Sequence, residues 1–271
     1  MTPPTIESSV DAGGASIPVL GFGTASMTGT DCTDAVEWAL EAGYRHLDTA
    51  TMYDNEAAVG DGLASADVSR DEVFVVTKVH PDDAAYDDVL ESAHGSCDRL
   101  GIETIDLLLL HAPSEEIPLE ITLDAMNHLQ DEEVVEHIGV SNFSVSQLEE
   151  AVEISETSIV TNQVKYHPYH RQDALLEYCI EADIALTAYS PLAKGDVVGD
   201  ERLEEIGESP GKSAAQVALR WLLQQPQVVA IPKASSREHV ETNADVFDFE
   251  LSTEEMHDIF ELSGEVPPFA R

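Results

Sequence analysis

The chain has 271 residues, with 13 Lys plus Arg against 53 Asp plus Glu, a formal net charge of −40 at pH 7. Its 43% apolar content is enough for a sizeable core and excludes a disordered acidic tail protein. Such charge repels nucleic acid and anionic membranes, and no apolar run approaches the roughly 18 residues of a membrane helix. Neither is expected as a partner.

Short apolar strands alternate with amphipathic helices along the chain. The first strand is predicted near 18–22 (PVLGF), followed by a helix over 31–43. The second, 45–48, ends on Asp48, and the third, 73–78, on Lys78. After a helix over 84–99 the fourth, 105–110, leads into His111. The fifth, 136–140, runs into Ser141 and Asn142, and the sixth, 159–164, carries Asn162 and Gln163. The seventh, 184–189, ends at Tyr189 and Ser190. A helix over 213–224 precedes the eighth, 228–231, which leads to Lys233. Eight units with no linker predict an α/β protein, a (β/α)8 TIM barrel with residues 1–271 as a single domain. An open doubly wound sheet is the rival. Chemistry in such a barrel gathers where the strands end, and seven successive strands hand a polar group to that rim.

Four of these groups make a chemical set. Tyr53 is a proton donor, sluggish with a phenol pKa of about 10. The Lys78 ammonium is expected to lower that pKa, with Asp48 holding the ammonium in place. His111 is placed to orient a carbonyl oxygen or relay a proton. Taken singly, Asp48 reads equally well as a helix N-cap, Lys78 as a salt-bridge partner and His111 as a packed histidine. Together they suit protonation of a carbonyl oxygen. No activated serine or cysteine is evident, which disfavours acyl transfer. Cys32, Cys97 and Cys179 are far apart, without a C-x-x-C, and read as free thiols.

The segment DTATMYDNEAAVG (48–60) resembles the aldo-keto reductase signature. LGFGTAS, TKVHP, LLLLHAP, IGVSNF, NQVKYHPY, AYSPLAKG and IPKASSREHVETN resemble further blocks of that family in the right order. The resemblance implies a β/α barrel that reduces aldehydes or ketones with NAD(P)H. It makes Tyr53 the general acid, Lys78 and Asp48 its tuning pair, and His111 the group that orients the carbonyl. It assigns Ser141, Asn142 and Gln163 to the nicotinamide carboxamide, and Tyr189 to stacking on the ring. Ser190, Leu192 and Lys194 match the pyrophosphate loop, and Lys233, Ser235 and Asn243 the adenosine end. Thr24 is added to the cofactor set. Met52, His80 and Ala112 are expected at the substrate, with Phe143 as a further wall residue.

Several positions depart from the family pattern. His239 stands where many NADPH-using members have arginine, Thr242 at a common glutamate position, and Ala234 follows the phosphate-binding Lys233. NADP is expected because Lys233 is kept, with NAD as the alternative. Ala25 and Ala112 replace bulky tryptophans and the tail SGEVPPFAR is short, which predicts a wide mouth for varied small carbonyl substrates. No metal is expected, although His167 and His170 have a chelating spacing. GESPGKS (207–213) is one residue short of a phosphate loop and reads as a capped helix start. The opening MTPPTIESSVD lacks a basic start and an apolar stretch, so a cytoplasmic protein is expected. A monomer is expected, adapted to high salt, where a Debye length of about 3 Å removes self-repulsion. A nicotinamide-binding regulatory subunit on the same barrel is the alternative function.

Overall fold

Gly13 and Gly14 take positive φ values of 56° and 97°, which glycine adopts without penalty. They turn the chain between two short antiparallel strands, β1 (Ser9–Ala12) and β2 (Ala15–Pro18). This hairpin was not expected from the sequence, which placed residue 18 at the start of a barrel strand. The computed structural model describes residues 4–263. The tail from residue 264 onward lies outside the described residues.

The eight barrel strands are β3 (Phe22–Gly23), β4 (His46–Asp48), β5 (Phe74–Val79), β6 (Ile105–Leu110), β7 (Val135–Ser141), β8 (Ile159–Lys165), β9 (Ala185–Tyr189) and β10 (Val228–Ala230). All pair in parallel in sequence order. A parallel bridge from Leu20 to Ala230 joins the last strand to the segment before the first. The rival open sheet is thereby excluded, and the fold is the (β/α)8 barrel. The buried strands are runs of Val, Leu and Ile, as expected of a parallel sheet covered on both faces.

Helices α1 (Gly29–Glu41), α2 (Glu56–Ser65), α3 (Tyr86–Leu100), α4 (Leu119–Asp131), α5 (Val145–Ile154) and α6 (Asp173–Glu181) follow β3 to β8 in turn. Two helices, α7 (Glu201–Glu208) and α8 (Ala214–Leu223), lie between β9 and β10. Helices α9 (Arg237–Ala244) and α10 (Thr253–Glu261) end the described chain. Ser144, Ser213 and Ser252 each form a capping box with the residue three positions on, so α5, α8 and α10 start where the sequence satisfies the free backbone N–H groups.

The hairpin seals one end of the barrel. Ala12, Ala15 and Ile17 pack against Val76, Leu107, Leu109, Val160 and Val229. Gly13 N–H donates to Asp183, just before β9 begins, so the sealed end is the one where strands start. The opposite rim holds left-handed backbone at Ser26, Asp54, Asn142 and Ser190, each shortly after a strand ends. Non-glycine residues in that region store strain and cluster at functional sites.

Candidate active site

Asp48 closes β4 and Lys78 lies next to the end of β5, so neighbouring parallel strands set their side chains together. Lys78 Nζ is 2.6 Å from Asp48 Oδ1, and both side chains are buried. The same ammonium donates to the Thr49 carbonyl oxygen at 2.7 Å. The other carboxylate oxygen, Oδ2, accepts from Gln163 Nε2 at 2.7 Å. A buried ion pair is tolerable when hydrogen bonds satisfy it, and here both carboxylate oxygens and two of the ammonium N–H groups have partners. The reading of Asp48 as a helix N-cap is excluded, because Asn55 holds that position before α2.

Asn55 has no capping bond of its own. Its side-chain amide donates to the carbonyls of Thr24 and Met27, and its oxygen accepts from Thr49 Oγ1. The loops after β3 and β4 are thus tied together, which seats the short helix Thr51–Tyr53. Lys78 Nζ lies 5.3 Å from the centre of the Tyr53 ring. Burial raises the Tyr53 pKa above the ordinary phenol value, and Lys78 opposes that rise. This corrects the expectation of a net lowering: removal from water outweighs the neighbouring ammonium.

His111 follows β6, its ring 5.8 Å from that of Tyr53 and nearly perpendicular to it. Burial first, and the Lys78 charge second, depress its pKa to about 4. The imidazole is therefore neutral at pH 7. Its Nδ1 is buried with no partner.

Asp48, Tyr53 and His111 line a cavity of about 1250 Å³, larger than the roughly 300–1,000 Å³ of common ligand sites. Asn142, Gln163 and Tyr189 share that lining. Ser190, Leu192, Lys194, Lys233 and Asn243 line it as well. Ala25 and the exposed Met52 also line it.

Other expected residues fall elsewhere. Thr24 is buried and its hydroxyl donates to the Asp48 carbonyl oxygen, bracing the site from behind. Ser141 is buried and donates to the Gln163 carbonyl oxygen at 2.8 Å. Ser235 is exposed and outside the cavity lining. His80 caps the short helix Pro81–Asp83, accepting from Asp82 N–H at 3.2 Å, and Ala112 also lies off the lining. Phe143 lines a separate cavity of about 350 Å³. The His167 and His170 rings face each other at 5.8 Å. Among the described residues no cluster of three or more His, Cys, Asp or Glu could hold a metal. The three cysteines are buried free thiols.

The sequence predicts only a helix cap over 207–213, yet Glu204, Gly207 and Glu208 of α7, with Gly211 and Lys212 of the turn after it, form part of the cavity wall. The signal was GESPGKS. Its serine is indeed a helix cap, but its lysine faces the cavity while held by Asp245 and Asp248 at 2.8 and 2.7 Å. His239 and Thr242 also line the cavity.

Residues 19–263 match the family model described as Aldo/keto reductase family. The chain is 41% identical over 251 residues to the 9,11-endoperoxide prostaglandin H2 reductase of Trypanosoma cruzi, covering 91% of this chain and 88% of that protein. It is 39% identical over 251 residues to the glyoxal reductase of Bacillus subtilis, covering 92% and 90%. The crystal structure of a Bombyx mori aldo-keto reductase in complex with NADP superposes with a TM-score of 0.88 at 32% identity, over 97% of this chain and 94% of that one. The likeness runs through the barrel from its first strand to its last helix, and on that ground the chain belongs to the aldo/keto reductase family.

Proposed function

We propose that this protein reduces aldehydes or ketones to alcohols, with NADPH as cofactor and Tyr53 as proton donor. The observation that carries the reading is the phenol of Tyr53 beside the buried Lys78–Asp48 pair, with neutral His111 across from it on the lining of the large cavity.

The cavity fits a nicotinamide dinucleotide by the donor and acceptor roles on its walls. Asn142 Nδ2 donates to the His111 carbonyl oxygen and to Ser141 Oγ, and Gln163 Nε2 donates to Asp48. Gln163 Oε1 and the second lone pair of Asn142 Oδ1 are left as acceptors, the complement of a primary carboxamide N–H₂. The Tyr189 ring, fixed by its hydroxyl bond to Asn142 Oδ1 at 3.0 Å, offers a flat face for stacking. Arg237 is held by Glu41 and Glu241 at 3.0 and 2.8 Å. Among the described residues Lys233 makes no such pair, which leaves its ammonium for a phosphate and favours NADPH over NADH.

When bound, the nicotinamide supplies hydride to the carbonyl carbon. Tyr53 holds the proton destined for the carbonyl oxygen, and Lys78 stabilises the phenolate left behind. His111, uncharged near pH 7, can hydrogen-bond the oxygen without competing as an acid. Small Ala25 beside exposed Met52 leaves room for varied small carbonyl substrates. The complete set of four groups speaks against a regulatory subunit with little turnover.

Consumption of NADPH and of NADH is measured with a panel of aldehydes in molar KCl. Greater kcat/KM with NADPH is expected, and a preference for NADH would reverse the cofactor assignment. Tyr53→Phe is expected to lower kcat by about 10²–10⁴-fold with cofactor Kd nearly unchanged. Retained turnover would remove Tyr53 as the acid.

A further inference from the structure

Gln163 touches both the cavity and the catalytic carboxylate. It sits on β8 among the residues that line the cavity, and its backbone carbonyl is held from the β7 side. The carbonyl oxygen accepts from Ser141 Oγ at 2.8 Å and from Asn142 N–H at 2.9 Å. The side chain is only 3% exposed, and its amide nitrogen donates to Asp48 Oδ2 at 2.7 Å. Asp48 is 2% exposed, and its other oxygen, Oδ1, is 2.6 Å from Lys78 Nζ. A buried carboxylate depends on its donors, because removing one leaves an uncompensated part of a charge out of water.

We infer that Gln163 is a positioning residue for proton transfer: its amide holds Asp48 in the geometry that sets the Lys78 ammonium beside Tyr53. The inference rests on the proposed reductase reading and adds to it a role for Gln163 that needs no cofactor.

The electrostatic consequence has a sign. The N–H dipole places positive charge at Asp48 Oδ2. Without it the potential behind Tyr53 becomes more negative, and the carboxylate draws harder on Lys78. Both effects oppose formation of the phenolate, so the phenol titrates higher. The titratable groups facing Tyr53 are Asp48 on β4, Lys78 on β5, His111 after β6 and Tyr189 on β9. A change at Gln163 leaves all four residues in place and reaches Tyr53 through Asp48, which loses its Nε2 donor.

Gln163→Met keeps the length of the side chain and removes the donor. Gln163→Asn, whose shorter amide falls short of Asp48, is the second variant should the first fail to fold. Tyr53 ionisation is read in the cofactor-free protein as tyrosinate absorbance, taken as the difference between each background and its Tyr53→Phe counterpart. The alkaline limb of kcat at saturating NADPH is read in parallel. Both should move upward by roughly half a pH unit or more, on the scale of a lost hydrogen bond to a buried charge. The cofactor-free shift should vanish in an Asp48→Asn background, as a double-mutant cycle requires of coupled residues. An equal shift in both backgrounds, or no shift without cofactor, would overturn the inference and leave Gln163 as a cofactor contact alone. Should the wild-type protein reduce no carbonyl, the reductase reading fails while the cofactor-free titration still decides this one.

Discussion

Among side chains, stability turns first on the buried pair of Lys78 and Asp48. Lys78→Met leaves Asp48 as an unpaired anion in the barrel, with an expected loss of about 3–5 kcal/mol. Calorimetry should show the drop, and a Lys78→Met/Asp48→Asn double variant should recover much of it. Three histidines add a pH dependence. Burial depresses the pKa of His46, and it takes His111 and His167 to about 4. In the unfolded chain a histidine titrates near 6.5, so below that pH the unfolded state binds more protons than the folded one. Stability contributed by these neutral rings is fully present above about pH 6.5. It falls as pH drops toward 4, and unfolding curves recorded across that window should show the loss. A flat profile would mean that the rings are charged in the folded protein.

At the scale of elements, close contact decides what can vary. A Cβ on Gly207 would lie 2.2 Å from the carbonyl oxygen of Lys212, a backbone atom that cannot step aside. Gly207→Ala should therefore force α7 away from the turn before α8, with an expected loss of about 1–3 kcal/mol visible in Tm. Ser213→Ala removes the α8 capping box at an expected cost of about 1 kcal/mol. The barrel strands were legible because each is a short apolar run with a polar group at its end, a local pattern. Asp48, Lys78 and His111 could be placed together on that ground alone, since adjacent parallel strands put their ends side by side. Thr24 and Ser141 were expected in the cavity but lie off its lining, their hydroxyls donating to the Asp48 and Gln163 carbonyl oxygens. That choice depends on neighbours remote in sequence. The hairpin signal, Gly13-Gly14 between two short alternating runs, was present and was outweighed by the stronger apolar run after it. The wall at the end of α7 and the turn before α8 carried a local signal in GESPGKS, but its reach into the cavity is set by how the two helices pack.

The whole molecule is an acidic shell around a neutralised centre. Several of the few cations are already committed, among them Arg70 to Asp106, Arg99 to Glu56, Arg171 to Asp173 and Lys212 to Asp245 and Asp248. Most of the 53 acidic residues therefore repel one another through solvent, where added salt screens them. Tm measured from dilute buffer to molar KCl is expected to rise by several degrees, and an unchanged Tm would remove salt adaptation from the account.

The plug formed by β1 and β2 separates two kinds of tolerance. It latches the barrel from beneath through Ala12, Ala15 and Ile17, far from the rim where Tyr53 and Met52 stand. Grafting longer loops after β4 or β6 onto this scaffold can thus re-cut substrate preference without unlatching the base. Truncating the first eighteen residues should do the reverse, loosening the whole cylinder while every side chain of the rim is still encoded.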